Sequence, residues 1–314
     1  MVFQTSCLRV RKVFSLWNQL GKQQVPELNR AGVIIRDATH VHQLIHTLQS
    51  GGANTLQVVS DFDMTLSKFS HNGQRCPTTH NLLHSSCLIT EECKHKMRAL
   101  QERFYPVEID TAMSLEEKIP LMVEWWSDAH DLLVQQEIQR KLLANAVSQS
   151  EAKLRDGYAL FFSTLERCGV PLLIFSAGVG DIVEEILKHH HLLTHTVSIQ
   201  ANYMTFNKEG VLEGFVEPLI HSFNKGAGHC LSPAHISRSH DRPYVLLLGD
   251  SLGDVSMANQ LPGVQKVLKI GYLNDQVEAR RPAYVSTYDI VLERDETLDV
   301  PNAILRHISM ATHL

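Results

Sequence analysis

The feature that most constrains this chain is a short apolar run, Leu56 to Ser60, that ends in two aspartates two positions apart, Asp61 and Asp63, with Thr65 following. On an extended strand, residues i and i+2 share a side. A strand that delivers two carboxylates at its C-terminal mouth puts them where open α/β sheets bind ligands. Two close carboxylates repel, so one is protonated or a cation sits with them. Either state suits phosphoryl transfer, in which one carboxylate attacks, the other manages a proton and a divalent metal offsets the phosphate charge.

The rest of the chain supplies the frame for such a site. Residues 36–50 carry Val41, Leu44, Ile45 and Leu48 at helical spacing, and Gly51-Gly52 ends the pattern. Residues 76–150 read as almost wholly helical, with long segments near 90–104 and 114–136. Ser114-x-x-Glu117 is a capping box at the second of these, and Pro120 falls early in it. After 150 the pattern alternates. A helix is expected over 151–168, a buried strand over 171–175 followed by Ser176-Ala177-Gly178, and a helix over 180–190. Strands are expected near 196–201, 244–249, 266–270 and 288–292. Asn207 to Gly210 marks the turn of a β-hairpin within 203–220. Strands alternating with helices predict an α/β fold, a mostly parallel sheet with helices on both faces. The expected organisation is a poorly ordered leader (1–30), a catalytic core (31–75 and 151–314) and a helical insertion between its parts (76–150).

Four pieces fall at or near strand ends in the order phosphoryl transfer needs. Asp61 can attack as nucleophile, and Asp63 can give and take the proton. Ser176, with N–H groups of the following helix start, can bind phosphate oxygens. Lys225 can hold the phosphate and quiet its repulsion with Asp61. Asp250 and Asp254 can complete an oxygen shell for Mg2+. Each piece alone is weak, since Asp-x-Asp turns and single lysines are common on surfaces. All four together, three of them directly after an apolar strand, are a specific pattern.

This pattern resembles the haloacid-dehalogenase-like (HAD-like) phosphatases: Asp61-Phe-Asp63-Met-Thr65, then Ser176, Lys225, and the pair Asp250 and Asp254. The resemblance implies a Rossmannoid core with Asp61 as nucleophile and Asp63 as acid/base. Mg2+ would be held by Asp61, the main-chain carbonyl of Asp63, and Asp250. The helical insertion is similar to a C1-type cap. Further segments look like the cytosolic 5′-nucleotidase type III family over roughly residues 30–310: Arg75-Cys-Pro-Thr, Met122-Val-Glu-Trp, Phe175-Ser-Ala-Gly, His221-x-Phe-Asn-Lys225 and Lys269-Ile-Gly-Tyr-Leu-Asn-Asp.

That family implies a Mg2+-dependent nucleotidase for nucleoside 5′-monophosphates, with 7-methyl-GMP favoured, CMP accepted and UMP a further candidate. It implies Glu108 reading the base edge, Trp126 stacking on the base, Asn81 nearby, and Ser176, Ala177 and Lys225 on the phosphate. A cationic methylated guanine gains from an indole face and from a carboxylate. Trp125, adjacent on the helix, is expected to point into the core. The competing expectations are a phosphomonoesterase for another small metabolite such as phosphoserine, and a catalytically idle nucleotide-binding protein.

Composition excludes other classes. A net charge of −5 argues against coating a nucleic-acid polymer. No apolar run approaches the roughly 18 residues that span a bilayer. The six cysteines show no CxxC pair, which fits free thiols in a reducing compartment. The first 24 residues carry Arg9, Arg11, Lys12 and Lys22 and no acid, a superficial likeness to a mitochondrial presequence without its amphipathic repeat. A cytoplasmic monomer with small-molecule partners is expected. His189-His190-His191 reads as a solvated helix end, and Gly178-Val-Gly180 as part of the phosphate loop.

Overall fold

Strand β2, Leu56–Ser60, is buried at all five positions. Such burial is what a strand with parallel neighbours on both sides and helices on both faces requires. The computed structural model describes residues 25–110, 112–226 and 231–309. Most of the expected leader, residues 1–24, lies outside the described residues. The remainder of it does not stand apart: Val25 and Leu28 are buried, and Pro26–Asn29 forms a 3-10 turn tied down by the pair Glu27–Arg306.

The main sheet has seven strands. Besides β2 they are β1 (Val33–Ile35), β5 (Leu172–Val179), β6 (Val197–Asn202), β9 (Tyr244–Gly249), β10 (Lys266–Leu273) and β11 (Ile290–Glu293), in the order β1-β11-β10-β9-β2-β5-β6. All neighbours pair in parallel except the antiparallel edge β1–β11. From β2 the chain builds outward through β5 and β6, then returns to the other side through β9, β10 and β11. The strand order therefore reverses between β2 and β9, and such a switch point opens a crevice at the strands' C-terminal ends.

Alternation along each strand feeds two apolar layers. Val58, Ile174 and Leu246 face one layer, with Leu48 of α1 (Ala38–Gly51), Phe161 of α6 (Tyr158–Arg167), Ile182 of α7 (Gly180–His189) and Ile304 of α10 (Asp299–Ser309). Val59, Leu173 and Leu247 face the other, with Met257 and with Tyr284 of α9 (Val277–Thr287). A short helix α8, Pro233–Ser239, precedes β9. Between β2 and β5 come a two-residue hairpin, β3 (Ser70–His71) with β4 (Gln74–Arg75), and the helices α2 (Thr79–Ser85), α3 (Glu91–Ile109), α4 (Leu115–Val134) and α5 (Leu143–Ser148). The expected hairpin in 203–220 is β7 (Met204–Phe206) with β8 (Leu212–Phe215).

Helix α4 starts at the Ser114/Glu117 capping box, closed in both directions. It runs on through Pro120, whose missing N–H falls near the helix start on an exposed turn. Two expected boundaries are corrected. The helix drawn over 151–168 starts only at Tyr158: Leu154 bridges to Ser67, Arg155 is buried, and Gly157 at φ +85° makes the turn into the helix. The strand drawn over 171–175 continues to Val179 through a register shift, so the expected loop at Gly178-Val-Gly180 is largely strand, while α7 starts at Gly180 as expected.

Candidate active site

The C-terminal ends of β2, β5 and β9 open into a cavity of about 510 Å3, roofed by α2, α3 and α4. Asp61, Asp63, Ser176, Ala177, Lys225, Asp250 and Asp254 line its floor. Asn81, Glu108 and Trp126 line its roof. The structure thus brings all the sequence-derived candidates to one place except Thr65, which is buried beneath the floor, 3.4 Å from Asp250 Oδ1.

The floor is an ionic cluster. Lys225 Nζ donates to Asp61 Oδ1 at 2.5 Å and to Asp254 Oδ1 at 2.8 Å, with all three side chains buried. Burial raises Asp61 to about 7 against the pull of Lys225, and burial with Asp61 and Asp254 beside it raises Asp250 well above the carboxylate range. Such a site is short of positive charge. Carboxylate oxygens of Asp61, Asp250 and Asp254 lie within 4.8 Å of one another, a hard-oxygen set that fits a divalent cation such as Mg2+. Within this set Asp254 is already committed: its Oδ2 accepts the N–H groups of Asp250 and Ser251, and its Oδ1 takes Lys225. Asp61 and Asp250 are the carboxylates left to face a cation.

Asp63 has a different environment. Its carboxylate turns toward α2 and accepts from Thr79 N–H at 2.9 Å and from Thr79 Oγ1 at 2.7 Å. Burial raises it to about 6, moderated by these two bonds. Burial raises both carboxylates, but a different neighbour opposes the rise at each: chiefly Lys225 at Asp61 and Thr79 at Asp63. Gly178 permits this approach: a Cβ there would collide with Thr79 Oγ1 and lie 2.7 Å from Asp63 Oδ2.

The phosphate-facing strand departs from expectation. Gly178 N–H donates to Ser176 Oγ at 3.0 Å and Val179 N–H to Thr79 Oγ1 at 3.1 Å, so the segment expected as a loop is an extended strand end, with α7 starting just beyond it at Gly180. Trp126 Nε1 donates to the Ala177 carbonyl at 2.9 Å, which fixes the indole over the floor. Trp125 is not in the core. It is half-buried, stacks on Phe104 at 5.9 Å and lines the same cavity, because the cavity wraps wide enough around α4 to meet both indoles.

Three residues carry geometry that the sequence did not single out. Thr79 is the first. The second is Arg155, a fully buried guanidinium that donates to the carbonyls of Thr65 (2.7 Å) and Met64 (2.5 Å) and lies 3.9 Å over the Tyr272 ring. It holds the loop behind Asp63, where Met64 sits at φ +60°. The third is Ser222, whose hydroxyl donates to Glu108 Oε1. Burial raises Glu108 above its ordinary range, and Lys118 Nζ secures its backbone carbonyl at 3.0 Å.

A switched α/β sheet carrying this carboxylate–lysine cluster at its mouth is the Rossmannoid architecture of an HAD-like hydrolase. Residues 64–309 match the family model described as pyrimidine 5′-nucleotidase (UMPH-1). The 7-methylguanosine phosphate-specific 5′-nucleotidase of Homo sapiens is 49% identical over 91% of this chain and 95% of its own. That of Gallus gallus is 49% identical over 92% and 100%, and that of Drosophila melanogaster 34% over 91% and 90%. A crystal structure of cytosolic 5′-nucleotidase IIIB bound to cytidine superposes with a TM-score of 0.80 at 32% identity, covering 93% of this chain and 97% of that one. The chain belongs to the cytosolic 5′-nucleotidase III family of HAD-like hydrolases. Among the described residues no helix is long and apolar enough to cross a membrane.

Proposed function

We propose that the protein is a Mg2+-dependent 5′-nucleotidase that hydrolyses nucleoside 5′-monophosphates, favouring 7-methyl-GMP and accepting CMP. The observation that carries this reading is a single cavity with the Asp61–Lys225–Asp254 cluster on one wall and Glu108 and Trp126 on the other. One ligand lying along this cavity would present a phosphate to the first and a base to the second. The names of the relatives at 48–49% identity support the methylated base, and the cytidine-bound structure supports a pyrimidine.

In this reading Asp61 attacks phosphorus, forming an aspartyl-phosphate as the bond to the 5′ oxygen breaks. Asp63 gives its proton to that leaving oxygen. Asp63, now a carboxylate, then takes a proton from the water that cleaves the aspartyl-phosphate, releasing phosphate and restoring both groups. Lys225 and Ser176 hold phosphate oxygens. Mg2+, held by Asp61, Asp250 and the main-chain oxygen of Asp63, would offset the charge of the phosphate against the carboxylates. The helices of residues 76–150 act as a cap that excludes water. A buried Glu108 is costly as a bare carboxylate, and a cationic base repays that cost better than a neutral one.

Phosphate release from 7-methyl-GMP, CMP, UMP, GMP, AMP and phosphoserine, with and without Mg2+, tests the reading. The highest kcat/KM is expected for 7-methyl-GMP, and release should vanish without the metal and in Asp61→Asn. Equal rates on GMP and 7-methyl-GMP would remove the methyl preference, and a preference for phosphoserine would overturn the nucleotidase reading.

A further inference from the structure

A second cavity, of about 300 Å3, lies outside the active site. Three parts of the chain supply its basic groups. Lys68 and His71 come from the segment leaving the catalytic loop for the inserted helices, Lys153 from the segment returning to the core, and His189 and His190 from the end of α7. The outgoing and returning segments are joined here: Lys68 N–H donates to the Lys153 carbonyl at 2.8 Å, Arg155 N–H to that of Leu66 at 2.9 Å, and Ser67 bridges to Leu154. Both chain crossings between insertion and core therefore pass this cavity.

Its charge is one-sided. Two lysines and three histidines face one carboxylate, Asp156. Lys68 Nζ pairs with that carboxylate at 2.8 Å; the Lys68 side chain is 8% exposed and that of Asp156 71%. A buried ammonium pinned to a water-facing acid can re-pair without unfolding anything. Burial, and then His189, Lys153 and His191 nearby, hold the His190 imidazolium below its ordinary range. The carbonyl end of α7 adds a partial negative charge that opposes any anion here, so the attraction has to come from the two lysines. A group with two or more negative charges and several acceptor oxygens can engage Lys68, Lys153 and the imidazoles together.

We propose that this cavity is an anion site for a phosphoryl group, supplied by inorganic phosphate or by the phosphate chain of a nucleotide, and that its occupancy clamps the two crossings and so restrains opening of the inserted helices. The second half rests on the reading of those helices as a closing cap.

The full chain, loaded with Mg2+ and beryllofluoride to fill the phosphoryl position on Asp61, is titrated calorimetrically with inorganic phosphate and, separately, with ATP. One further site per chain is expected, and the tighter of the two ligands identifies the source. Affinity should fall at least tenfold in the double variant Lys153→Glu/His189→Glu. Both positions are exposed, and an unchanged melting temperature confirms its fold. No binding to the loaded wild type, or unchanged binding in the double variant, would overturn the site. Turnover at saturating nucleotide is then measured with the ligand present. A change of twofold or more in kcat in the wild type, absent in the double variant, supports the clamp; equal kcat with and without ligand overturns it while the site stands. Failure of the nucleotidase reading shows separately, as no phosphate release from any nucleotide.

Discussion

Thr79 is the uncharged side chain that holds Asp63 in place. It gives Asp63 both a backbone and a hydroxyl donor, and it also accepts from Val179. Hydrogen bonds to an ionised group contribute about 1.5–3 kcal/mol, so Thr79→Val should lower kcat roughly tenfold to a hundredfold. Thr79→Ser should recover most of the loss, and steady-state kinetics on 7-methyl-GMP would show both. The neighbouring His80 makes a second prediction. Its Nε2 lies 3.5 Å from that of His130, whose ring stacks on Phe215 at 3.7 Å. Burial lowers His80 to about 4, and burial with His80 beside it lowers His130 to about 3. Both are neutral in the fold, whereas the unfolded chain takes up protons near pH 6.5. Stability is therefore full above about pH 6.5 and declines as pH falls toward 4, by at most roughly 3 kcal/mol per group. The buried aspartates push the other way in the metal-free fold, so the check is the difference between wild type and His130→Asn: the wild type's denaturant midpoint should lose ground to the variant's as pH falls from 7.5 to 4.5. The aspartates were legible in the sequence because Asp61 and Asp63 directly follow one apolar strand, and Asp250 and Asp254 another. Thr79 and Ser222 were not, because their importance exists only once α2 and the 221–225 loop are folded against a carboxylate.

At the scale of elements, period was a good guide where an element presents a single face to its surroundings. Helices α1, α4 and α7 and strands β2 and β9 lie close to where apolar spacing puts them. The segment before α6 misled because Leu154 keeps the spacing of a helix while its backbone pairs with Ser67. Arg155 is invisible to periodicity: it reads as a solvent-facing helix position, yet its guanidinium is buried against carbonyls contributed by residues about ninety positions earlier. Strand β1, three residues on an antiparallel edge, is too short to carry a pattern. Helix α4 shows the limit of assigning one indole to a ligand and the other to the core, since a wide cavity meets both. Trp126→Ala should raise KM for 7-methyl-GMP about tenfold or more with a smaller effect on kcat, while Trp126→Phe, which keeps an aromatic face but not the bond to Ala177, should fall between. An unchanged KM in the alanine variant would remove the stacking role.

For the whole molecule, the reversal of strand order beside β2 gathers carboxylates from β2 and β9 at one mouth, and their repulsion is the price of assembling the site. Burial raises Asp61 to about 7, so the metal-free fold binds a proton that the unfolded chain releases near pH 3.8. That group alone makes the metal-free fold less stable as pH rises from about 4 through 7. A cation competing for the same oxygens therefore stabilises more at high pH. Saturating Mg2+ should raise Tm by several degrees at pH 8 and by much less at pH 5.5, as differential scanning calorimetry would show. The loop that supplies Lys225 has its own consequence. Ser222 holds Glu108 while, three residues on, Lys225 holds Asp61, so one short stretch of backbone touches both ends of the cavity. On the proposed function, a nucleoside that draws Glu108 away from Ser222 would free this stretch at one end while Lys225 keeps it at Asp61. A base that fails to engage Glu108 would leave the Ser222 contact in place, and discrimination would then show in the speed of bond cleavage as well as in the tightness of the grip.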